Sequence, residues 1–236
     1  LRCQDSGVRQ DSLSPASSLP PPPATRENAT CSPLRHREGM TFEPEICSVE
    51  TPGLTFSCLR VGTGPLVLVL HGFPDHAPSF RPLLVALAQA GFTAVAPYLR
   101  GYAPSGPAPD GRYDFAALGH DVPALVAGLG FPRAHVVGHD LGAVMAYCAA
   151  IQAPSCVASL VAMSVPPLRA FLGGLLTTPA QLRRSAYIPR LQLGGQFGGV
   201  AWLSANDFAA IDLLWSRWSP GWAADPKRIA AVKHTF

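Results

Sequence analysis

The chain has 236 residues, 48% of them apolar, which is enough for one large α/β core or a core carrying a small insertion. Only 14% are charged, and the net charge of +3 from 18 basic and 15 acidic side chains is dispersed, which argues against a nucleic-acid surface and for a small-molecule partner. No apolar run approaches the roughly 18 residues of a membrane span, and the first residues do not resemble a secretory signal.

Residues 1–39 differ in composition from the remainder of the chain. They hold Pro20-Pro21-Pro22-Pro23, scattered Ser and Asp, and no hydrophobic period, so they cannot bury enough surface to offset the entropy of ordering. A disordered Pro/Ser-rich tail is expected there. The chain opens with Leu1, and Met40 stands where the composition turns globular, so Met40 is the expected natural start. Asn28-Ala29-Thr30 is a glycosylation sequon that reads as chance without a secretory signal. The six cysteines, Cys3, Cys31, Cys47, Cys58, Cys148 and Cys156, form no CxxC pair and no zinc-ligand spacing. Reduced thiols in a cytoplasmic protein are expected.

From Met40 onward strands and helices alternate. Val49 to Pro52 and Leu54 to Val61, separated by Gly53, read as a hairpin, and Pro65 to Leu70 is a continuous apolar run of the kind buried on both faces. His71-Gly72-Phe73-Pro74-Asp75 comes directly after it. Phe80 to Ala90 is amphipathic and ends at Gly91, Phe92 to Ala96 is a strand, and Phe115 to Leu129 is a second helix. Strand, helix, strand, helix, strand predicts right-handed crossovers and a mostly parallel sheet with its ligands at the carboxyl ends of the strands.

The central strand runs into Ala134-His135-Val136-Val137-Gly138-His139-Asp140-Leu141-Gly142-Ala143. A strand that turns sharply into a helix presses its neighbours at minus two and plus two together, and Gly138 and Gly142 are the residues that fit. The apex is Asp140, where acyl-transfer enzymes carry serine. A carboxylate is ionised at neutral pH and needs no base to attack. Its attack on saturated carbon leaves an ester that water can open at the carbonyl, whereas serine would leave an ether. On these ten residues alone, Asp140 is either that nucleophile or merely the N-cap of the helix beginning at Leu141. Val144 to Gln152 continues the helix, and Val157 to Val165 is another buried strand.

His71-Gly72-Phe73-Pro74-Asp75, Leu99-Arg100-Gly101-Tyr102 and Val137-Gly138-His139-Asp140-Leu141-Gly142 together resemble the α/β-hydrolase fold, specifically its epoxide hydrolase and haloalkane dehalogenase branch, from about Val49 to Phe236. The resemblance implies that Asp140 is the nucleophile, that the backbone N–H groups of Phe73 and Leu141 form an oxyanion hole, and that Phe73-Pro74 is cis. His71, Gly72, Pro74, Gly138, His139 and Gly142 support these motifs. His71 and His139 are expected to be hydrogen-bonded structural residues and His76 to lie at the surface.

After Pro166 the alternation stops, and residues 167–236 read as irregular, helical and aromatic, where this family inserts its cap. The expected organisation is a tail at 1–39, an α/β-hydrolase core at 40–166 and a partial helical cap at 167–236. Tyr187 and Gln192 keep the spacing of the cap tyrosine and glutamine of epoxide hydrolases, and a phenol is protonated at pH 7 and can donate to the oxygen of an opening ring. Pro189 is expected to break the helix there. Dehalogenases of this fold usually carry tryptophan after the nucleophile. Leu141 at that position, with Tyr187, favours epoxides. Trp215, Trp218 and Trp222 read as core or pocket wall. Gly194-Gly195-Gln196-Phe197-Gly198-Gly199 follows no strand and has no lysine, so it reads as a loop and not a phosphate cradle.

The resemblance implies further strands beyond the cap, carrying the charge-relay acid and the histidine that activates water. No such pair is evident before Phe236, so the chain is read as C-terminally truncated and inactive in turnover. The sequence-level reading is an epoxide hydrolase that opens a small apolar epoxide through an ester on Asp140, without metal or organic cofactor. A haloalkane or haloacid dehalogenase, or a catalytically silent binding protein of the same fold, are its competitors. Oligomeric state is left open.

Overall fold

A computed structural model describes residues 42–193 and 198–236. The expected tail at 1–39, with Cys3, Cys31 and the Asn28 sequon, and the glycine-rich stretch at 194–197 lie outside the described residues. The strands are β1 (Glu45–Glu50), β2 (Thr55–Val61), β3 (Leu66–Leu70), β4 (Thr93–Pro97), β5 (Ala134–His139) and β6 (Val157–Met163). They form one sheet in the order β1-β2-β4-β3-β5-β6, antiparallel from β1 to β4 and parallel from β4 through β3 and β5 to β6. The chain thus has the expected mostly parallel sheet, with a hairpin at one edge. β1 starts earlier than the apolar run suggests, because an edge strand needs only Cys47 and Val49 facing inward while its other side chains stay exposed.

Side-chain alternation explains how one strand serves two layers. All five residues of β3 are buried; Leu66, Leu68 and Leu70 join the cluster on one face, and Val67 and Val69 join the cluster on the other. α1 (Arg81–Gln89), entered through a 3-10 turn at Ala77–Phe80, covers the valine face with Leu84 and Ala88. α2 (Phe115–Gly128) and α3 (Leu141–Gln152) cover the leucine face with residues such as Leu125 and Met145. The Asp114 side chain caps α2 by accepting from the N–H groups of Ala116 and Ala117. Arg100, in the loop after β4, is buried and pairs bidentately with buried Asp121 of α2, fixing that loop to the leucine-face layer.

Among the described residues, five helices come after β6: α4 (Leu168–Thr177), α5 (Pro179–Arg184), α6 (Tyr187–Leu193), α7 (Gly199–Trp218) and α8 (Pro226–Lys233). α4 and α5 bury no residue, whereas α7 buries Ala210, Ile211 and Leu214. Pro189 does not break α6 as expected. It lies in the first turn, where the missing N–H would have no intrahelical acceptor. α7 is interrupted by a left-handed turn at Asn206, Asp207 and Phe208, with φ of 51, 56 and 57°. No helix among the described residues is long and apolar enough to cross a membrane.

Candidate active site at the end of β5

The elbow is built by steric exclusion. A Cβ on Gly138 would stand 2.3 Å from the Gly142 carbonyl oxygen, and one on Gly142 would stand 2.2 Å from that of Leu70. The two glycines are therefore pressed together and against β3, as their spacing predicts. Between them Asp140 takes φ 51° and ψ −116°, a backbone region natural to glycine and costly for aspartate. Its side chain makes no capping hydrogen bond to α3, so the N-cap alternative fails. Instead Oδ1 accepts a 3.0 Å bond from the Phe73 N–H. Leu141 opens α3 directly after this acid, and its N–H makes no hydrogen bond to the carboxylate, whose Oδ1 is engaged by Phe73.

The turn after β3 supplies that donor. A Cβ on Gly72 would lie 2.4 Å from Asp140 Cβ, so only glycine lets the two strand ends approach. The Phe73-Pro74 peptide is cis, as expected. His71 is fully buried; its Nδ1–H donates to the Gly72 carbonyl at 2.9 Å and its Nε2 accepts from the Leu99 N–H at 3.1 Å. Both ring nitrogens are thereby engaged in the neutral form, and burial lowers the pKa to about 3. This is the structural role expected of His71.

Two expectations about histidines need correction. His139 is not hydrogen-bonded through Nδ1, which is buried without a partner among the described residues, and its ring lies beside Phe80, 6.4 Å between centroids. His76 is buried, at 4% exposure, because the 3-10 turn folds it edge-on toward Tyr98; burial lowers its pKa.

Asp140 opens into a cavity of about 1230 Å³. Its walls include Phe73, Pro74, Leu141 and His139 from the strand ends and Tyr187, Gln192, Trp215 and Trp218 from the helical segment. Tyr187 packs edge-on against Trp218 with ring centroids 5.0 Å apart. Burial first, and the charge of Asp140 second, raise its pKa to about 12, so the phenol holds its proton throughout the neutral range. Asp140, Val144, Tyr147, Cys148 and Ile151 also line the cavity. That spacing is one face of α3, a helical periodicity that marks a lining stripe once Asp140 is taken as its first member. Trp222 does not reach this cavity; it lines a second one, of about 630 Å³, between α7 and α8. Among the described residues, no group of three or more His, Cys, Asp or Glu could hold a metal ion, and no histidine ring pairs with a carboxylate.

Trp215 was not foreseeable as more than a wall. Its indole Nε1–H donates to the Pro74 carbonyl at 2.8 Å, across 141 positions of sequence. No local pattern signals such a contact.

The profile of the α/β-hydrolase fold family matches residues 65–211, more than half of the chain. Epoxide hydrolase 3 of Siraitia grosvenorii is 33% identical over 174 residues, covering 71% of this chain and 52% of that protein. Fluoroacetate dehalogenase of Burkholderia sp is 37% identical over 123 residues, or 50% of this chain and 40% of the relative. An epoxide hydrolase of Bacillus megaterium, solved with an inhibitor, superposes with a TM-score of 0.72 at 26% identity, over 80% of this chain and 66% of that one. The chain spans about half or less of the length of the curated relatives it matches. With the sheet order, the glycine-flanked acid elbow and the cis-proline turn, these likenesses establish that the chain belongs to the α/β-hydrolase fold family.

Proposed function

We propose that the chain carries the covalent step of an epoxide hydrolase, with residues 40–166 as core and 167–236 as a partial helical cap. The observation that carries this is Asp140 at a strained elbow, its carboxylate turned away from its own helix, held by Phe73 N–H and sharing a cavity with protonated Tyr187. The Asp140 oxygen not bonded to Phe73 attacks a ring carbon of the epoxide. The ring C–O bond breaks, its electron pair goes to the oxygen, and that oxygen takes the Tyr187 proton, leaving a β-hydroxyalkyl ester and a tyrosinate. Oδ1 becomes the ester carbonyl oxygen, so Phe73 N–H stands where negative charge gathers when water attacks; Leu141 N–H is the second donor in that later state. Release of that ester is a separate step, which needs a base to activate water. No metal or organic cofactor enters the step, and the substrate is a small apolar epoxide suited to the cavity wall.

The test is incubation with styrene oxide followed by peptide mass spectrometry. A β-hydroxyalkyl adduct on the Asp140 peptide, lost in Asp140→Asn and slowed at least tenfold in Tyr187→Phe, is the expected result. Release of fluoride from fluoroacetate without any epoxide adduct would transfer the chain to the dehalogenase reading. No adduct and no halide release would leave the catalytically silent binding protein.

A further inference from the structure

Two indoles on α7 stand one helical turn apart, and each touches a different part of the site. Trp215 donates its Nε1–H to the carbonyl of Pro74, the residue after the Phe73 whose N–H holds Asp140. Trp218 packs edge-on against Tyr187. Residues three apart share a helix face, so α7 joins these contacts as a rigid strut. The chain of contacts runs from the Asp140 carboxylate through Phe73-Pro74 and Trp215 to Trp218 and the Tyr187 phenol. α4 and α5 bury no residue, whereas α6 is also tied to the first half of α7, by Arg190 over the Trp202 ring at 4.6 Å and by Gly199 packed against the Leu191 backbone; the contact from α7 to the Phe73-Pro74 turn is the Trp215 bond.

We infer that Trp215 is a positioning residue whose indole N–H registers α7 against the Phe73-Pro74 turn and so aligns Tyr187 with Asp140. This rests on the roles proposed above for Asp140 and Tyr187. The indole touches no reacting atom; its nitrogen is spent on Pro74 and is not available to a leaving group.

Two probes of Asp140 separate alignment from general packing. Styrene oxide needs a proton for its departing oxygen. Benzyl bromide does not, since bromide leaves with the bonding pair as the Asp140 oxygen joins carbon. In Trp215→Phe, labelling of the Asp140 peptide by styrene oxide is expected to slow roughly five- to tenfold, as for one lost hydrogen bond, while labelling by benzyl bromide changes less than twofold. In Tyr187→Phe, adding Trp215→Phe should slow styrene oxide no further, because the two act as one unit. Equal slowing of both probes, or effects that multiply in the double variant, would overturn the inference. A second measurement needs no variant: in the unaltered chain the Trp215 indole N–H should exchange with deuterium more slowly than those of Trp218 and Trp222, which are 41% and 44% exposed. Exchange as fast as theirs would overturn it even if Trp215→Phe fails to fold. Unchanged labelling in Asp140→Asn or Tyr187→Phe would sink the underlying reading instead, whereas normal labelling in Trp215→Phe alone sinks only this inference.

Discussion

The two halves of the candidate site are held by different physics. Asp140 is set by the backbone: Gly72, Gly138 and Gly142 leave no room for any other path of the chain, and β3, against which they pack, is buried on both faces. Tyr187 is set by a few side-chain contacts on helices that are largely exposed, with Leu172 at 50%, Leu182 at 59% and Leu176 at 89% exposure. Steric exclusion by backbone gives a position that hardly varies. Placement through side-chain contacts, such as Tyr187 on Trp218, Arg190 over Trp202 and the Trp215 indole bond, gives a position that can shift with the helices. Nucleophile geometry should therefore tolerate changes in the helical segment, while proton donation should not.

The sharpest break of this contrast is Gly142→Ala. The added methyl has nowhere to go but into the Leu70 carbonyl, and a loss above about 4 kcal/mol, or failure to fold, is expected in urea denaturation. Asp121→Asn comes next. It leaves the buried Arg100 guanidinium with only the half-exposed Asp110 at 3.7 Å as an anionic partner and should cost up to about 3–5 kcal/mol by the same measurement, without touching the helices beyond β6.

Acid should weaken the sheet region through His71. Its folded pKa of about 3 lies below the ordinary 6.5, so the unfolded chain binds the proton that the folded ring refuses. The contribution is complete above about pH 6.5 and is lost as pH falls toward 3, with stability dropping by several kcal/mol. Urea midpoints at pH 7, 5 and 4 check this; a midpoint that holds steady across that range would contradict the buried neutral ring. Asp140→Gly should go the other way, raising stability by about 1–3 kcal/mol as the elbow strain is relieved while covalent labelling disappears. The smallest effect belongs to Leu176→Ser, within about 0.5 kcal/mol, since the side chain is already in water. A large loss there would show that the exposed helices are held more firmly than their contacts imply.

The sheet region was almost wholly legible. The apolar run of β3, the glycine spacing around Asp140 and the amphipathic patterns of α1 and α2 each follow from local sterics and periodicity, but Val157 to Val165 is not the buried strand its apolar run suggests: β6 is the last strand of the described sheet and none of its residues is buried. The N-cap alternative for Asp140 was a different matter, since the same acid before the same helix suits either role. Only the side chain's direction, toward Phe73 and away from α3, separates them. His76 and His139 were misjudged for a related reason: motif neighbours say where a histidine sits along the chain, not which ring or turn closes over it.

What the sequence determined by itself is therefore the chemistry available: an acid on an elbow that only glycines permit and a phenol downstream, whereas the cis bond at Phe73-Pro74 was expected only from the family resemblance. These are short-range facts, governed by φ/ψ limits and side-chain period. The meeting of Asp140 with Tyr187 in one cavity, and the link from Trp215 to Pro74, were decided by tertiary structure alone. Contacts between residues tens to more than a hundred positions apart arise when whole layers bury their apolar faces together. No local pattern encodes where those faces come to rest.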